Sequence, residues 1–393
     1  MPFDFDNVVE RKGTNCFKWD YVEEIFKESD ILPMWVADMD FKSPEQVIKA
    51  IEDRAKHGVF GYTARPDTLY DSVINWLVKR FNWKVEKDCI LFTPGVVPAI
   101  DLAMQAYTNT GDEVIIQPPV YNPFFGAVKN NNRTLIKNSL KIDDGEYRID
   151  FDDLENKVTN KTKMLILCSP HNPVGRVWNE VELKELGLFA KKHNIFIVSD
   201  EIHADIVYKP HRHTPFLNVD DAFEDFSIVC MAPSKTFNLA GLETSFVVIK
   251  NKSLRELYER QIKKTSLWMT NIFGIVAAKA AYKYGEPWLD SLLEYLNGNI
   301  NYIEDFINKR LPGIKFTRPE GTYLAWLDFR NLNLSNEELE KLLVHEGKVG
   351  LNNGPDFGKE GKGFQRLNFG CPRSLLKDGL ERIEQAINSL EKH

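Results

Sequence analysis

The sequence lacks the features that mark several classes of protein. It has no long basic run, and 50 Lys and Arg against 57 Asp and Glu give a net charge of −7. A mildly acidic chain is poorly suited to nucleic-acid binding. No apolar stretch approaches the roughly 18 residues of a membrane span. The first residues have neither the basic nor the apolar region of a signal peptide. We therefore expect no nucleic-acid partner and no membrane insertion.

Cysteine is also scarce. Its five occurrences are odd in number and scattered, with no C-x-x-C pair: Cys16, Cys89, Cys168, Cys230 and Cys371. This usage is typical of reduced thiols and not of a disulfide framework or a zinc site. We expect a cytoplasmic protein without a bound metal.

What is present indicates an α/β fold. The 393 residues are enough for two domains or more. Short apolar runs alternate with amphipathic stretches such as 180–193, and continuous apolar runs are typical of strands buried in a mainly parallel sheet. The predicted strands are Cys89–Thr93, Glu113–Gln117, Met164–Cys168, Ile195–Ser199, Ser227–Met231 and Ser245–Ile249.

The two ends of the chain have a different pattern. Residues 321–329 alternate like a strand, and a helical pattern follows from Leu376 to Leu390. We predict a large domain over 45–285. A smaller α+β domain would combine 1–44 with 286–393.

Several polar residues directly follow the ends of predicted strands, where open α/β sheets bind ligands. Taken singly, each has an ordinary explanation as a surface, turn or capping residue. Together they suit pyridoxal 5′-phosphate. A Lys forms a Schiff base, an Asp pairs with a protonated pyridine nitrogen, an Asn amide bonds the phenolic oxygen, a helix start after a Gly holds phosphate, and a Tyr stacks on the ring. The residues are Lys235, Asp200, Asn172, Gly95 and Tyr121.

The motifs around these residues resemble fold-type-I pyridoxal-phosphate enzymes. More narrowly, they resemble the cystathionine β-lyase/cystalysin-like branch of the class I/II aminotransferase family, from about residue 10 to the end. The motifs are Trp35-Val-Ala-Asp-Met-Asp-Phe41, Gly61-Tyr-Thr63, Ser169-Pro-His-Asn-Pro-Val-Gly175, Ser199-Asp-Glu-Ile-His203, Ala232-Pro-Ser-Lys-Thr-Phe-Asn-Leu-Ala-Gly241, Pro319-Glu-Gly-Thr-Tyr-Leu324 and Arg366-Leu-Asn368.

The resemblance implies the role of each residue. Lys235 would be the Schiff-base lysine and, once displaced by substrate, the base at Cα. Asp200 would face the pyridine nitrogen, Asn172 the phenolic oxygen and Tyr121 the ring face. Backbone N–H groups and a hydroxyl would bind the phosphate, from Gly95, Val96, Val97 and Ser234.

Further roles concern the partner subunit and the substrate. Tyr62 corresponds to a Tyr that reaches the phosphate of the neighbouring subunit in relatives, so we expect a homodimer with shared active sites. Arg366 would hold the substrate α-carboxylate, near the segment containing Val36 and Ala37. Lys235, Tyr62 and Tyr121 form the expected catalytic set.

Three positions depart from common family patterns. Glu243 stands where many relatives have a cation near the phosphate, and we expect its side chain to point away. His203 replaces the Tyr that aminotransferases place near the phenolic oxygen, which favours a lyase. Asn122 replaces a Tyr that is a candidate acid for the leaving group, which leaves Tyr62 as a substitute.

The resemblance thus implies a carbon–sulfur β-lyase. It would cleave cystathionine or cysteine-like amino acids to pyruvate, ammonia and a thiol. Two alternatives remain open: an aminotransferase that uses the same residues, and a cofactor-binding regulator that acts through a transcription factor.

Overall fold

The computed structural model describes residues 3–390 and has an α/β architecture around a seven-stranded sheet. Four of the six strand pairs are parallel, and Ser245–Val248 runs antiparallel to both of its neighbours. The other six strands therefore share one direction, which confirms the predicted, mainly parallel sheet. Their spatial order is Ile90–Thr93, Ser245–Val248, Ser227–Met231, Phe196–Asp200, Thr162–Cys168, Glu113–Ile116 and Thr134–Lys137.

The sheet separates two hydrophobic layers because side chains alternate along each strand. In Thr162–Cys168, for example, Met164 and Ile166 pack on one side while Leu165 and Leu167 pack on the other. The first side is covered by the helices Val96–Tyr107, Pro123–Asn130 and Lys252–Lys264. The second side is covered by Asp67–Phe81, Glu180–His193 and Ile272–Tyr284.

A second sheet of four antiparallel strands forms in the C-terminal part of the chain. Its order is Lys315–Phe316, Leu324–Asp328, Phe364–Asn368 and Asn352–Asn353. Leu32–Pro33 also pairs with Val349–Gly350, which connects the N-terminal segment to this part of the chain. The division into 45–285 and 1–44 with 286–393 stays a prediction.

The described chain also contains eight further α-helices and one hairpin. The helices are Phe17–Asp20, Val22–Phe26, Glu45–Lys56, Phe151–Lys157, Pro233–Thr236, Glu286–Arg310, Asn336–Lys341 and Arg373–Leu390. Lys141–Asp143 and Glu146–Arg148 form the hairpin. Within residues 3–390, no helix has the length and apolar character required to cross a membrane.

Candidate active site

A cavity lies at the edge where the parallel strands end. Most of the residues that follow predicted strands line it, so the structure brings them together as expected. The predicted site residues in its lining are Ala37, Gly95, Val96, Val97, Tyr121, Asn172, Asp200, His203, Ser234 and Lys235. Arg366 is joined to this group through a hydrogen bond to Asn172.

Lys235 lies in the short helix Pro233–Thr236, just after the strand Ser227–Met231. Its Nζ donates a hydrogen bond to the Ala37 carbonyl at 2.6 Å. Burial lowers the pKa of Lys235 to about 8, although the carboxylates of Asp38 and Asp200 raise it in part. An amine with this pKa has an appreciable neutral fraction near neutral pH and can act as a nucleophile and a base.

Asp200 is the last residue of the strand Phe196–Asp200 and is buried at the carboxyl end of that strand. The Ile202 N–H donates to its Oδ1 at 3.1 Å. Burial raises the pKa of Asp200 to about 7, against the opposing effects of that hydrogen bond and of Lys235. A buried carboxyl in this condition gains stability as a carboxylate when a cationic N–H approaches.

The turn that contains Asn172 is fixed by close packing against another motif. Gly175 has φ +76°, and a Cβ there would lie 2.6 Å from the Pro319 Cβ, so glycine is required for both reasons. The Gly175 carbonyl also accepts hydrogen bonds from the N–H groups of Glu320 and Gly321. Two motifs far apart in sequence are therefore packed together at the turn that carries Asn172.

Arg366 is a buried cation whose direct partners are neutral. Its Nη1 donates to Asn172 Oδ1 at 3.0 Å, and its Nη2 donates to the Trp35 carbonyl at 2.9 Å and to Asn352 Oδ1. The guanidinium also lies 4.9 Å from the centre of the Phe357 ring. Burial lowers its pKa to about 10. Among the described residues, Arg366 Nε has no hydrogen-bond partner, so the group is available to an anion.

His203 and Tyr121 are aromatic groups of the same cavity. The His203 ring packs edge-on against Tyr323 at 5.7 Å, and its Nδ1 has no partner among the described residues. Burial, together with Lys235 and Arg366, lowers the pKa of His203 well below its usual value, so the imidazole is neutral. Burial and the nearby Asp200 raise the pKa of Tyr121, which keeps the phenol protonated.

One end of the cavity offers neutral donors to an anion. The helix Val96–Tyr107 begins after Gly95 with no acidic residue in its first turn, so its free N–H groups point to this end. Ser234 also lines the cavity, and so does Thr244, which the sequence did not single out. Glu243 is exposed and also borders the cavity, and the expectation that its side chain points away from the phosphate stays a prediction.

The profile of the aminotransferase class I and II family matches residues 29–383. The chain belongs to the aminotransferase class I and II family.

Individual family members are similar over nearly their whole length. Cystathionine beta-lyase PatB from Bacillus subtilis is 45% identical over 98% of this chain and 100% of that protein. Cystalysin from Treponema denticola, whose crystal structure contains a pyridoxal 5′-phosphate cofactor, has a TM-score of 0.96 at 37% identity, covering 99% and 100% of the two chains. The PLP-bound C-S lyase from Staphylococcus hominis has a TM-score of 0.91 at 34% identity, covering 98% of each chain.

Three residues selected for their position in the family do not lie in this cavity. Tyr62 is 96% exposed and is not among the lining residues. Val36 is not among the lining residues, and its carbonyl accepts a hydrogen bond from Asn368 Nδ2 at 2.5 Å. Asn122 is exposed and precedes the helix Pro123–Asn130. Neither Tyr62 nor Asn122 therefore reaches the site of its own chain.

Proposed function

We propose that this protein is a pyridoxal-phosphate-dependent carbon–sulfur β-lyase. Its substrates would be cystathionine or cysteine-like amino acids, and its products pyruvate, ammonia and a thiol. The observation that carries the proposal is one cavity lined by a low-pKa amine at Lys235, a buried carboxyl at Asp200 and the amide of Asn172. The buried cation of Arg366 donates a hydrogen bond to that amide. The names of full-length relatives support the same chemistry.

The residues of the cavity fit this cofactor in shape and charge. Asp200 suits the protonated ring nitrogen because burial raises its pKa, and a cationic N–H beside it would offset the cost of that burial. His203 Nδ1, which has no hydrogen-bond partner within residues 3–390, suits the phenolic oxygen, together with Asn172. Tyr121 suits the ring face. The phosphate would be held by Gly95, Val96, Val97 and Ser234. When bound, the cofactor supplies an electron sink for charge that develops at the substrate Cα.

Lys235 would hold the cofactor covalently and then act as the base. Its Nζ takes the proton from Cα, the bond between Cβ and sulfur breaks, and the thiolate leaves. The remaining three-carbon enamine hydrolyses to pyruvate and ammonia. Burial lowers the pKa of Lys235, so the neutral amine needed for the first step forms at modest cost near neutral pH.

Arg366 would orient the substrate by binding its α-carboxylate. A guanidinium offers two parallel donors to a carboxylate, which fixes direction as well as distance. Asn172, Asn352 and the Trp35 carbonyl hold the guanidinium from behind. The carboxylate would also lie near the backbone of Val36 and Ala37. This arrangement would point the Cα–H bond toward Lys235.

We further propose a homodimer in which Tyr62 of the partner subunit completes each site. The 96% exposure of Tyr62 and the nearby exposed Val59 and Phe60 support an interface, because exposed apolar groups in one loop commonly mark association sites. Tyr62 of the partner subunit would contact the phosphate and protonate the leaving sulfur. The five free cysteines support a reducing, cytoplasmic location.

The products decide between a lyase and an aminotransferase, since both would use Lys235 in the same way. We expect the purified protein to release pyruvate and thiol from cystathionine, cysteine, cystine or djenkolate with no keto acid added. The Lys235→Ala variant serves as the control and should release none. Borohydride reduction should trap the cofactor on Lys235. Turnover that requires a keto acid would instead identify an aminotransferase.

A further inference from the structure

Residues 35–40 form a segment whose backbone contacts both cations of the candidate site. The Trp35 carbonyl accepts a hydrogen bond from Arg366 Nη2 at 2.9 Å. The Ala37 carbonyl accepts from Lys235 Nζ at 2.6 Å and from the Tyr323 hydroxyl at 2.9 Å. A shift of this segment therefore moves the acceptors that place Arg366 and Lys235.

The acidic side chains of the same segment are held by two cations from the first twenty residues. Arg11 Nη2 lies 2.6 Å from Asp38 Oδ2, and Arg11 Nη1 lies 2.6 Å from Asp40 Oδ1. Lys18 Nζ lies 2.6 Å from Asp40 Oδ2. Trp19 Nε1 donates to Asp40 Oδ1 at 2.9 Å. We call Arg11, Lys18, Asp38 and Asp40 the N-terminal charge cluster.

The Lys18–Asp40 pair of the N-terminal charge cluster is deeply buried, and the charges of the four residues balance. Lys18 is 1% exposed and Asp40 is 3% exposed. Burial acts to raise the pKa of the Asp40 carboxyl, but Lys18, Trp19 and Arg11 lower it below its usual value. Removal of one cation would leave a buried carboxylate undercompensated, and the segment would have to move toward water.

We propose that Arg11 and Lys18 are positioning residues for the substrate carboxylate. They hold Asp38 and Asp40, and thereby fix the 35–40 segment, whose Trp35 carbonyl places Arg366. In the holoenzyme the covalent bond to the cofactor would place Lys235, so the effect of the segment is expected at Arg366. This inference rests on the proposed function, because it takes Arg366 as the carboxylate site. If Arg11 and Lys18 only stabilised the fold, their loss would weaken the binding of all ligands alike. If they position Arg366, their loss should weaken the binding of ligands that have a carboxylate.

The test compares L-alanine with ethylamine, which lacks the carboxylate. Each is titrated into the holoenzyme, and binding is followed by absorbance and circular dichroism of the bound cofactor. We expect Arg11→Gln and Lys18→Met to weaken L-alanine binding by about tenfold and to leave ethylamine binding nearly unchanged. Arg11→Lys should restore part of the loss.

Arg382→Gln is the matched control. Arg382 is also partly buried and donates to Asp378 Oδ1 at 2.9 Å and to the carbonyls of Lys348 at 2.8 Å and Asp30 at 3.2 Å, none of which lies within residues 35–40. The Arg382→Gln variant should bind both L-alanine and ethylamine as the wild type does. Equal weakening of both ligands, or unchanged L-alanine binding in Arg11→Gln, overturns the proposal. Arg11 is 19% exposed, so this variant decides the matter if Lys18→Met does not fold.

The outcomes also separate this inference from the proposed function. If wild-type protein releases pyruvate and binds L-alanine while the cluster variants behave like wild type, only the positioning role is wrong. If wild-type protein neither binds L-alanine nor releases pyruvate, the proposed function fails, and the inference fails with it.

Discussion

At the scale of single residues, the candidate site is defined by buried charges without full compensation. Burial is the largest cause of the pKa shift at Lys235, Asp200 and Arg366. Each of these groups gains stability when an oppositely charged ligand group enters. The free-energy cost of burying these charges in the free protein is offset when the ligand binds, and this favours binding in one orientation.

We expect Asp200→Asn to retain the cofactor but to lose turnover by about a hundredfold or more. An amide of nearly the same size preserves packing but cannot hold a ring nitrogen protonated. Cofactor content from absorbance and steady-state pyruvate release provide the measurement. Near-normal turnover in this variant would place Asp200 away from the ring nitrogen.

We expect Arg366→Lys to raise KM for amino-acid substrates by about tenfold. An ammonium cannot donate to Asn172, Asn352 and Trp35 while it also presents two parallel donors to a carboxylate. Steady-state kinetics with cysteine and cystathionine tests this. An unchanged KM would mean that the substrate carboxylate lies elsewhere.

Asn352, which sequence reasoning missed, is brought to the site by pairing of distant strands. Asn352 stands opposite Arg366 in the antiparallel pair of Asn352–Asn353 with Phe364–Asn368. No local pattern marks this asparagine, because the register of a strand pair is set by the whole sheet. The sequence also gives no sign that Arg11 and Lys18 are structurally important, since charged residues are seldom buried and are expected at the surface.

At the scale of elements, the positions of the strands were largely predictable because buried parallel strands are continuous apolar runs. Ser227–Met231 has the predicted bounds, and Thr162–Cys168 begins two residues earlier than predicted. Thr134–Lys137 was missed: it is an edge strand with partly exposed side chains, so its apolar signal is weak. The direction of Ser245–Val248 depends on its connection and not on its composition.

The helix Glu180–His193 provides a prediction about stability. Asn179 Oδ1 accepts from the N–H groups of Val181 at 2.9 Å and Glu182 at 3.0 Å, and Glu182 Oε2 accepts from the Asn179 N–H. We expect Asn179→Ala to lower the free energy of unfolding by about 1 kcal/mol. Urea denaturation of the holoenzyme measures this change.

A second capping box supplies the control for that helix. Ser335 and Glu338 form the same reciprocal pair before the helix Asn336–Lys341. Ser335→Ala should lower the free energy of unfolding by a similar amount. Both variants should retain normal cofactor absorbance and pyruvate release. A loss of activity in Asn179→Ala at unchanged stability would show that the cap acts on the site instead.

At the scale of the whole molecule, the chain presents a catalytic cavity and, apart from it, an exposed aromatic loop. Arg65, three residues after Tyr62, donates to the Trp268 carbonyl at 3.3 Å, and Trp268 is itself 55% exposed. Two neighbouring loops therefore expose aromatic side chains to solvent. A two-fold axis would bring such a surface against its own copy and would bury these side chains.

Mixing two defective chains tests whether the active sites are shared. Tyr62→Phe lacks the phenol that would enter the neighbouring site, and Lys235→Ala lacks the amine of its own site, so each homodimer should be nearly inactive. In a heterodimer, the Lys235 of one chain meets Tyr62 of the partner subunit, and both defects fall in the other site. A 1:1 mixture should therefore recover about a quarter of wild-type activity after subunit exchange. No recovery, with exchange demonstrated by differently tagged chains, would mean that each chain builds its site alone.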